Sequence, residues 1–298
     1  MLFISLCIGV AIFFMADSRK FIQHDNWFNK LIELVASKLG GKLGAEWIWV
    51  ITLLIPTAVV AWLVSEADEA WLGFPMLLIS VVLLVYSLGR EGYLNSLDLY
   101  VASLKVANAE TVFIRAQELF PTLSKDLRDE WSHQYQQIRQ LVFYQVLEQL
   151  FTVVFWFIVL GPVAALIYRM NELYLANQQQ NDANKLASAH VAWDFKYIIE
   201  WLPARVLAWS FTLAGNFTKA YHECQQSWRR WAEPPGELVV RTGLQALTIP
   251  LDMEEFKQTT DTAEQQQMAA DELMAVRGLL NRTVVIWGAI IALVTLLT

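Results

Sequence analysis

The sequence predicts an all-α, polytopic membrane protein with about five or six transmembrane or re-entrant helices. Three observations predict it. Charged residues make up 17% of the 298-residue chain and hydrophobic ones 56%, whereas soluble domains average about 25% charged; the mean hydropathy is +0.37. Apolar residues gather into six runs near membrane length. Thirteen Trp fit interfacial aromatic belts.

The runs are Leu2 to Ala16, Trp47 to Val64, Trp71 to Leu88, Leu150 to Ile167, Tyr197 to Phe217 and Thr283 to Leu297. A helical span needs about 20 residues, with a range of about 17–25, and the middle runs meet it. The first and last are short and need snorkelling neighbours or a thinner bilayer. No basic residue precedes the first run, and Arg19 and Lys20 follow it. It therefore reads as an uncleaved anchor rather than a signal peptide.

Lys and Arg mark the cytoplasmic side. Arg19, Lys20, Lys30, Lys38 and Lys42 lie between the first two runs, and Arg90, Lys105, Arg115, Lys125, Arg128 and Arg139 follow the third. The connection Ser65 to Ala70 holds Glu66, Asp68 and Glu69 and no basic residue. The N-terminus and the acidic loop are thus expected outside. Parity then favours six crossings with the C-terminus outside. A re-entrant element around Pro203 is the rival.

A single membrane domain, 1–298, is expected, with cytoplasmic helical segments at 89–140 and 218–282. Glu91 to Phe120 reads as a helix ended by Pro121, with Ser124 as the N-cap of the next. Pro234-Pro235-Gly236 is a break. Glu254 to Leu280 reads as a Gln- and Glu-rich helix leading into the last span. The net charge of -7 gives no basic footprint for nucleic acid. Trp228-Arg229-Arg230-Trp231 suits anionic lipid better. Cys7 and Cys224 imply neither a disulfide framework nor a metal site. The four His have no metal-ligand spacing, and no nucleophile–base pair or P-loop is visible. No metal or cofactor is expected, and no catalytic residue is assigned.

Ionisable groups inside apolar segments are functional suspects. Gln145, Glu148, Gln149 and Thr152 stand at i, i+3, i+4 and i+7, one face of a helix. That face either lines a polar cavity entered from the cytoplasm or marks the entrance of the helix. Arg205 sits about two turns into its run, after Pro203. It either snorkels or needs a carboxylate or phosphate, and Glu148 is the expected partner within the chain. Gly161-Pro162 should break or kink the fourth span. Tyr168 and Arg169 either anchor its end at the interface or join the site.

Phe155-Trp156, Gly161-Pro162 through Leu166-Ile167-Tyr168-Arg169, and Trp201-Leu202-Pro203-Ala204-Arg205 together resemble the AmpE family of inner-membrane proteins. More distantly the chain is similar to the CobD/CbiB family of cobalamin-biosynthesis enzymes. The likeness is concentrated between Leu141 and Phe217. It implies a CobD/CbiB-like helical membrane fold and a bacterial inner-membrane location. Ligand contacts are expected at Gln145, Glu148, Thr152, Tyr168, Arg169 and Arg205. Structural roles are expected at Gly161, Pro162, Trp201 and Pro203. The related enzymes join an aminopropanol-type amine to a corrinoid carboxylate with ATP, and most of their polar motifs are missing. Asp17-Ser18-Arg19 stands for Gly-Asp-Pro, and Pro121-Thr122-Leu123 lies near the place of Val-Gly-Arg-Asp. Tyr144 to Glu148 keeps only the last acid of Glu-Asn-x-x-Asp. Lys196-Tyr197 replaces paired aspartates, and Ser-Pro-Asn-Ala-Gly-Trp has no counterpart. The resemblance therefore implies a membrane modulator of β-lactamase induction that senses an anionic small molecule, a cell-wall fragment or nucleotide. An ATP-dependent ligase of the CobD/CbiB type is the alternative. Besides the bilayer, a second copy or another membrane protein is a candidate partner.

Overall fold

The computed structural model describes residues 2–15, 25–39, 43–68, 74–88, 93–106, 108–120, 131–180, 186–227, 230–248, 251–259 and 261–297. Asp17-Ser18-Arg19, Lys20, Lys42, Glu69, Arg90, Pro121-Thr122-Leu123, the Ser124 cap, Lys125, Arg128 and Trp228-Arg229 lie outside them. The described residues are helical, as the all-α expectation requires. In chain order they form α1 (Leu2–Met15), α2 (Asn26–Leu39), α3 (Ala45–Asp68), α4 (Phe74–Ser87), α5 (Tyr93–Val106), α6 (Ala109–Leu119) and α7 (Trp131–Val146). A π-helical turn, Leu147–Phe151, follows. Then come α8 (Thr152–Leu160), α9 (Pro162–Gln180), α10 (Leu186–Ala214), α11 (Phe217–Ser227), α12 (Pro235–Ala246), α13 (Met253–Gln258) and α14 (Thr262–Leu297).

The chain divides into two compact units. The first is Met1–Glu91 with Glu148–Pro203, and the second is Gly92–Leu147 with Ala204–Thr298. In the first unit, α2 is amphipathic and buries Phe28, Ile32 and Val35, spaced at one helical face. Phe28 and Ile32 join Leu53, Leu166, Met170, Leu173 and Tyr174 in one core. The short α1 packs along α4. A Cβ on Gly9 would come 2.5 Å from Leu84 Cδ2, so the small residue sets this approach, as is common between membrane helices. Gly161 has φ of 87°, a left-handed conformation that favours glycine. It turns the chain so that α9 packs back on α8.

The second unit is built on α5, α6, α7, the C-terminal part of α10, and α11 to α14. Its buried polar centre is Glu272, 3% exposed. Arg139 Nη2 donates to Glu272 Oε1 at 2.6 Å, and the Leu251 N–H donates to the same oxygen at 3.1 Å. The Tyr135 hydroxyl donates to Glu272 Oε2 at 2.8 Å. These bonds tie α7 and the strand-free segment before α13 to α14. The Trp287 indole N–H, on α14, donates to Ser210 Oγ at 2.8 Å.

Several expected elements are subdivided, each for a local reason. The helix expected over Glu91 to Phe120 is two, because the Asn108 side chain accepts from the Glu110 and Thr111 N–H groups and starts α6. The helix expected over Glu254 to Leu280 breaks after Gln258. Asp261 then accepts from the Ala263 N–H and starts α14. The apolar run Leu150 to Ile167 is not one span but a hairpin broken at Gly161, where a break was expected. The run Tyr197 to Phe217 is interrupted at Gly215-Asn216. There the Asn216 N–H donates to the Ala246 carbonyl at 2.7 Å, and a Cβ on Gly215 would meet that oxygen at 2.2 Å.

Among the described residues, three helices are long and apolar enough to cross a membrane: Glu46–Glu66, Gln134–Leu160 and Thr262–Leu293. Phe74–Ser87 is a shorter apolar helix. The chain is a helical membrane protein. The 29-residue α10 is not among the three, and its interior holds Asp194, Lys196, Glu200 and Arg205.

Breaking a buried pair by removing one partner costs about 3–5 kcal/mol. Glu272→Gln and Arg139→Met should each lower unfolding stability in detergent by that order. Tyr135→Phe should lower it by only about 1 kcal/mol. Near-neutral values for both charge-removing variants would contradict this account of the second unit.

Candidate functional site

The first unit gathers four ionisable side chains from the π-helical turn, α9 and α10. Glu148 lies in the π turn, a local widening often found at functional positions. Glu172 comes from α9. Lys196 and Glu200 stand four residues apart on one face of α10. The geometry of the hairpin explains the meeting. Glu148 lies about twelve residues before Gly161 and Glu172 about as many after it. At 1.5 Å per residue both sit roughly 18 Å from the turn.

Lys196 is the centre of this group and is 4% exposed. Its Nζ donates to Glu148 Oε1. The same ammonium lies 2.9 Å from Glu172 Oε1 and 3.8 Å from Glu200 Oε1. Glu200 is 2% exposed, and the buried Tyr168 hydroxyl donates to its Oε1 at 2.6 Å. Trp193 offers its ring face to the Lys196 ammonium, 5.1 Å from the centroid, a further cation stabilisation. Arg169 is within electrostatic reach of Glu172 and Glu148.

Carboxylate oxygens of Glu148, Glu172 and Glu200 all lie within 4.8 Å of one another. At an effective dielectric of about 20, two unit charges at that distance repel by on the order of 3 kcal/mol. Three such groups therefore need a cation, and Lys196 supplies it. An all-oxygen donor set of this kind suits a hard divalent ion. Here the position of that ion is taken by the ammonium of the chain itself.

The surroundings hold the site in register. The Trp49 indole N–H donates to Asn171 Oδ1 at 2.9 Å, and Asn171 Nδ2 donates to the Ala192 carbonyl at 3.1 Å. Those bonds join α3, α9 and α10. The Trp156 indole N–H donates to the Ile199 carbonyl at 3.0 Å. In an unbroken helix that carbonyl would accept from residue 203, which is Pro203 and has no N–H. Trp156 thus repairs the gap left by the proline and fixes α8 against α10 beside the site. This accounts for the joint presence of the Phe155-Trp156 and Leu202-Pro203 motifs.

Of the residues singled out in sequence, Glu148, Tyr168 and Arg169 belong to this neighbourhood. Gly161 and Pro162 form the turn, and Trp201 and Pro203 lie on α10. The spacing of Gln145, Glu148, Gln149 and Thr152 assumed an α-helical period, which the π turn interrupts. Gln145 Oε1, Gln149 Oε1 and Thr152 Oγ1 are buried without a hydrogen-bond partner among the described residues. Arg205 belongs to the second unit, where it is 2% exposed and lies over the Trp231 ring, 5.9 Å from its centroid. Glu148 has its ion pair with Lys196. Near Arg205, burial pushes the Cys224 thiol up to about 11, against the opposing effect of the guanidinium. That keeps it protonated at neutral pH, unsuited to nucleophilic work.

Glu172, Lys196 and Glu200 escaped the sequence reading as a set. The available signal was the Lys196–Glu200 pair at i and i+4 in an apolar segment. Glu172 sits in what reads as a connecting segment, and only the turn at Gly161 brings it back.

The chain is similar to the cobalamin biosynthesis protein CobD of Chromobacterium violaceum. The two are 24% identical over 223 residues, which cover 70% of this chain and 67% of that protein. This supports the distant CobD/CbiB likeness. No family model matches the chain, and no solved structure matches it.

Two substitution series test the site. Lys196→Met leaves three crowded carboxylates and should lower stability by about 3–5 kcal/mol. Adding Glu200→Gln should recover part of the loss, measured by thermal unfolding in detergent. Trp156→Phe orphans the Ile199 carbonyl and should cost about 1–3 kcal/mol. The cost should shrink in a Pro203→Ala background, which returns an N–H to that carbonyl. Equal costs in both backgrounds would refute the repair.

Proposed function

We propose that this chain is a regulatory protein of the bacterial inner membrane, of the AmpE type, that modulates β-lactamase induction in response to β-lactams. The observation that carries the reading is Lys196. The family resemblance implies paired aspartates at that position in the ligases. Here an ammonium stands there and neutralises the acids that remain. A carboxylate group closed by its own cation is poorly suited to gathering a metal–nucleotide complex. It is well suited to switching, because a ligand that competes for Lys196 or Arg169 frees carboxylates that then repel. Such an ion-pair network is a two-state element of the kind a small ligand can bias. The ligand this favours is an anionic small molecule, a cell-wall fragment or a nucleotide. Nucleic acid is not a partner in this reading. The bilayer is, and a second copy or another membrane protein would receive the signal.

The test is β-lactamase activity, with and without an inducing β-lactam, in a host lacking only this protein. The strain is complemented with wild type, Lys196→Met or Arg205→Ala at matched membrane levels. Altered induction that only wild type restores is the expected result. Unchanged induction in the deletion strain would remove the regulatory reading.

The similarity to CobD favours a second reading, an ATP-dependent amide-forming ligase. Purified protein supplied with ATP, a corrinoid acid and aminopropanol phosphate should then form an amide. The regulatory reading expects no product from that pair.

A further inference from the structure

We propose that the α8–α9 hairpin is a re-entrant element. It dips into the lipid hydrocarbon from the cytoplasmic face, turns at Gly161 and returns, so the buried carboxylate–lysine site at its base lies on the cytoplasmic side. The chain then crosses the membrane four times, through α1, α3, α4 and α14.

The hairpin itself supplies the first argument. From Gln149 to Tyr168 there is no charged residue. Its tip exposes Ile158, Val159 and Leu160, at 41%, 54% and 65%. Such a tip belongs in hydrocarbon rather than in water. Yet the arms regain charge quickly, at Glu148 on one side and Arg169 on the other. Those positions lie roughly 18 Å and 12 Å from the turn, whereas the hydrocarbon core is about 30 Å thick. The helix Gln134–Leu160 is long enough to cross, but with Glu148 and Arg169 kept at the cytoplasmic face the uncharged arms do not carry the turn to the far side. Irregular backbone at depth must also be satisfied internally. The Gly161 N–H donates to the Phe157 carbonyl at 3.0 Å, and Pro162 has no N–H to satisfy.

Charge supplies the second argument independently. All 22 Lys and Arg of the chain fall within residues 17–44 or 89–282. With four crossings and the N-terminus outside, both stretches are cytoplasmic, and the acidic loop with Glu66, Asp68 and Glu69 is outside. This obeys the positive-inside rule completely. A crossing at Leu150 to Ile167 would instead put Arg169, Lys185 and Lys196 on the outer side. The charge inside α10 removes it as the compensating span. The shorter α1 and α4 are about 21 Å long and span with snorkelling flanks or local thinning.

The test is cysteine labelling with a membrane-impermeant maleimide, comparing spheroplasts with inverted vesicles. The background carries Cys7→Ser and Cys224→Ser. Gln137→Cys, Ala176→Cys and Gln258→Cys are expected to label only in inverted vesicles, and Glu66→Cys only in spheroplasts. Val159→Cys is expected to label in neither and to respond to a membrane-permeant reagent. Labelling of Ala176→Cys in spheroplasts, or of Val159→Cys from either aqueous side, would overturn the proposal. If the cysteine-free background fails to insert, full-length insertions after Gln180 decide it. A fluorescent protein that glows and an alkaline phosphatase that stays inactive are expected there, and the reverse pair would overturn it.

Discussion

The first unit depends on one ammonium. Lys196 contacts three carboxylates drawn from the π-helical turn, α9 and α10. Without it, those elements would carry crowded like charges at their contact. With it, the same charges become the bond between them. The apolar core around Phe28, Leu53, Leu166 and Tyr174 is nondirectional and would tolerate small slides of one helix on another. The lysine does not, because its ammonium must reach three oxygens at once. Position along α10 is therefore set by an electrostatic constraint, and apolar packing follows from it.

That constraint is met only because the helices are irregular in three places. Gly161 reverses the chain so that Glu172 returns to the level of Glu148. The π turn widens the backbone where Glu148 departs from it. Pro203 removes a donor from α10, and the Trp156 indole takes up the freed Ile199 carbonyl. Each irregularity would weaken an isolated helix. Together they exchange helix regularity for contacts between helices, the exchange expected where polar groups must meet inside an apolar body.

The helical membrane class was legible because composition and apolar run length measure transfer from water directly. The breaks were legible where one residue type dictates the backbone, as at Gly161-Pro162, and two residues singled out in sequence, Glu148 and Tyr168, lie beside the Lys196–Glu200 pair. The site as a whole was not legible. Glu172 lies between Arg169 and the Gln/Asn-rich stretch that follows, which reads as a connection, and only the turn at Gly161 brings it back beside Glu148. The π turn leaves no compositional trace, so the spacing from Gln145 to Thr152 read as an ordinary helical face. Lys196 was visible as a replaced acid and through its i, i+4 spacing to Glu200. That one lysine could serve three carboxylates is a property of distances between helices, which periodicity within a helix cannot encode.

The Glu272 and Lys196 centres differ in how their charges are arranged. In the second unit, Glu272 takes Arg139 and the Leu251 N–H on one oxygen and the Tyr135 hydroxyl on the other. Its charge is matched and its acceptors are used, so nothing is gained by rearranging it. In the first unit three carboxylates crowd around one lysine, with the Arg169 guanidinium within electrostatic reach of two of them. Crowded carboxylates held together by Lys196, with Arg169 in electrostatic reach, are a state that binding or proton uptake can rearrange. Buried networks that are fully satisfied rigidify a fold, and those left partly satisfied are costly unless they serve a purpose. The crowding of three carboxylates around Lys196, rather than burial alone, is what distinguishes this candidate site from the Glu272 centre.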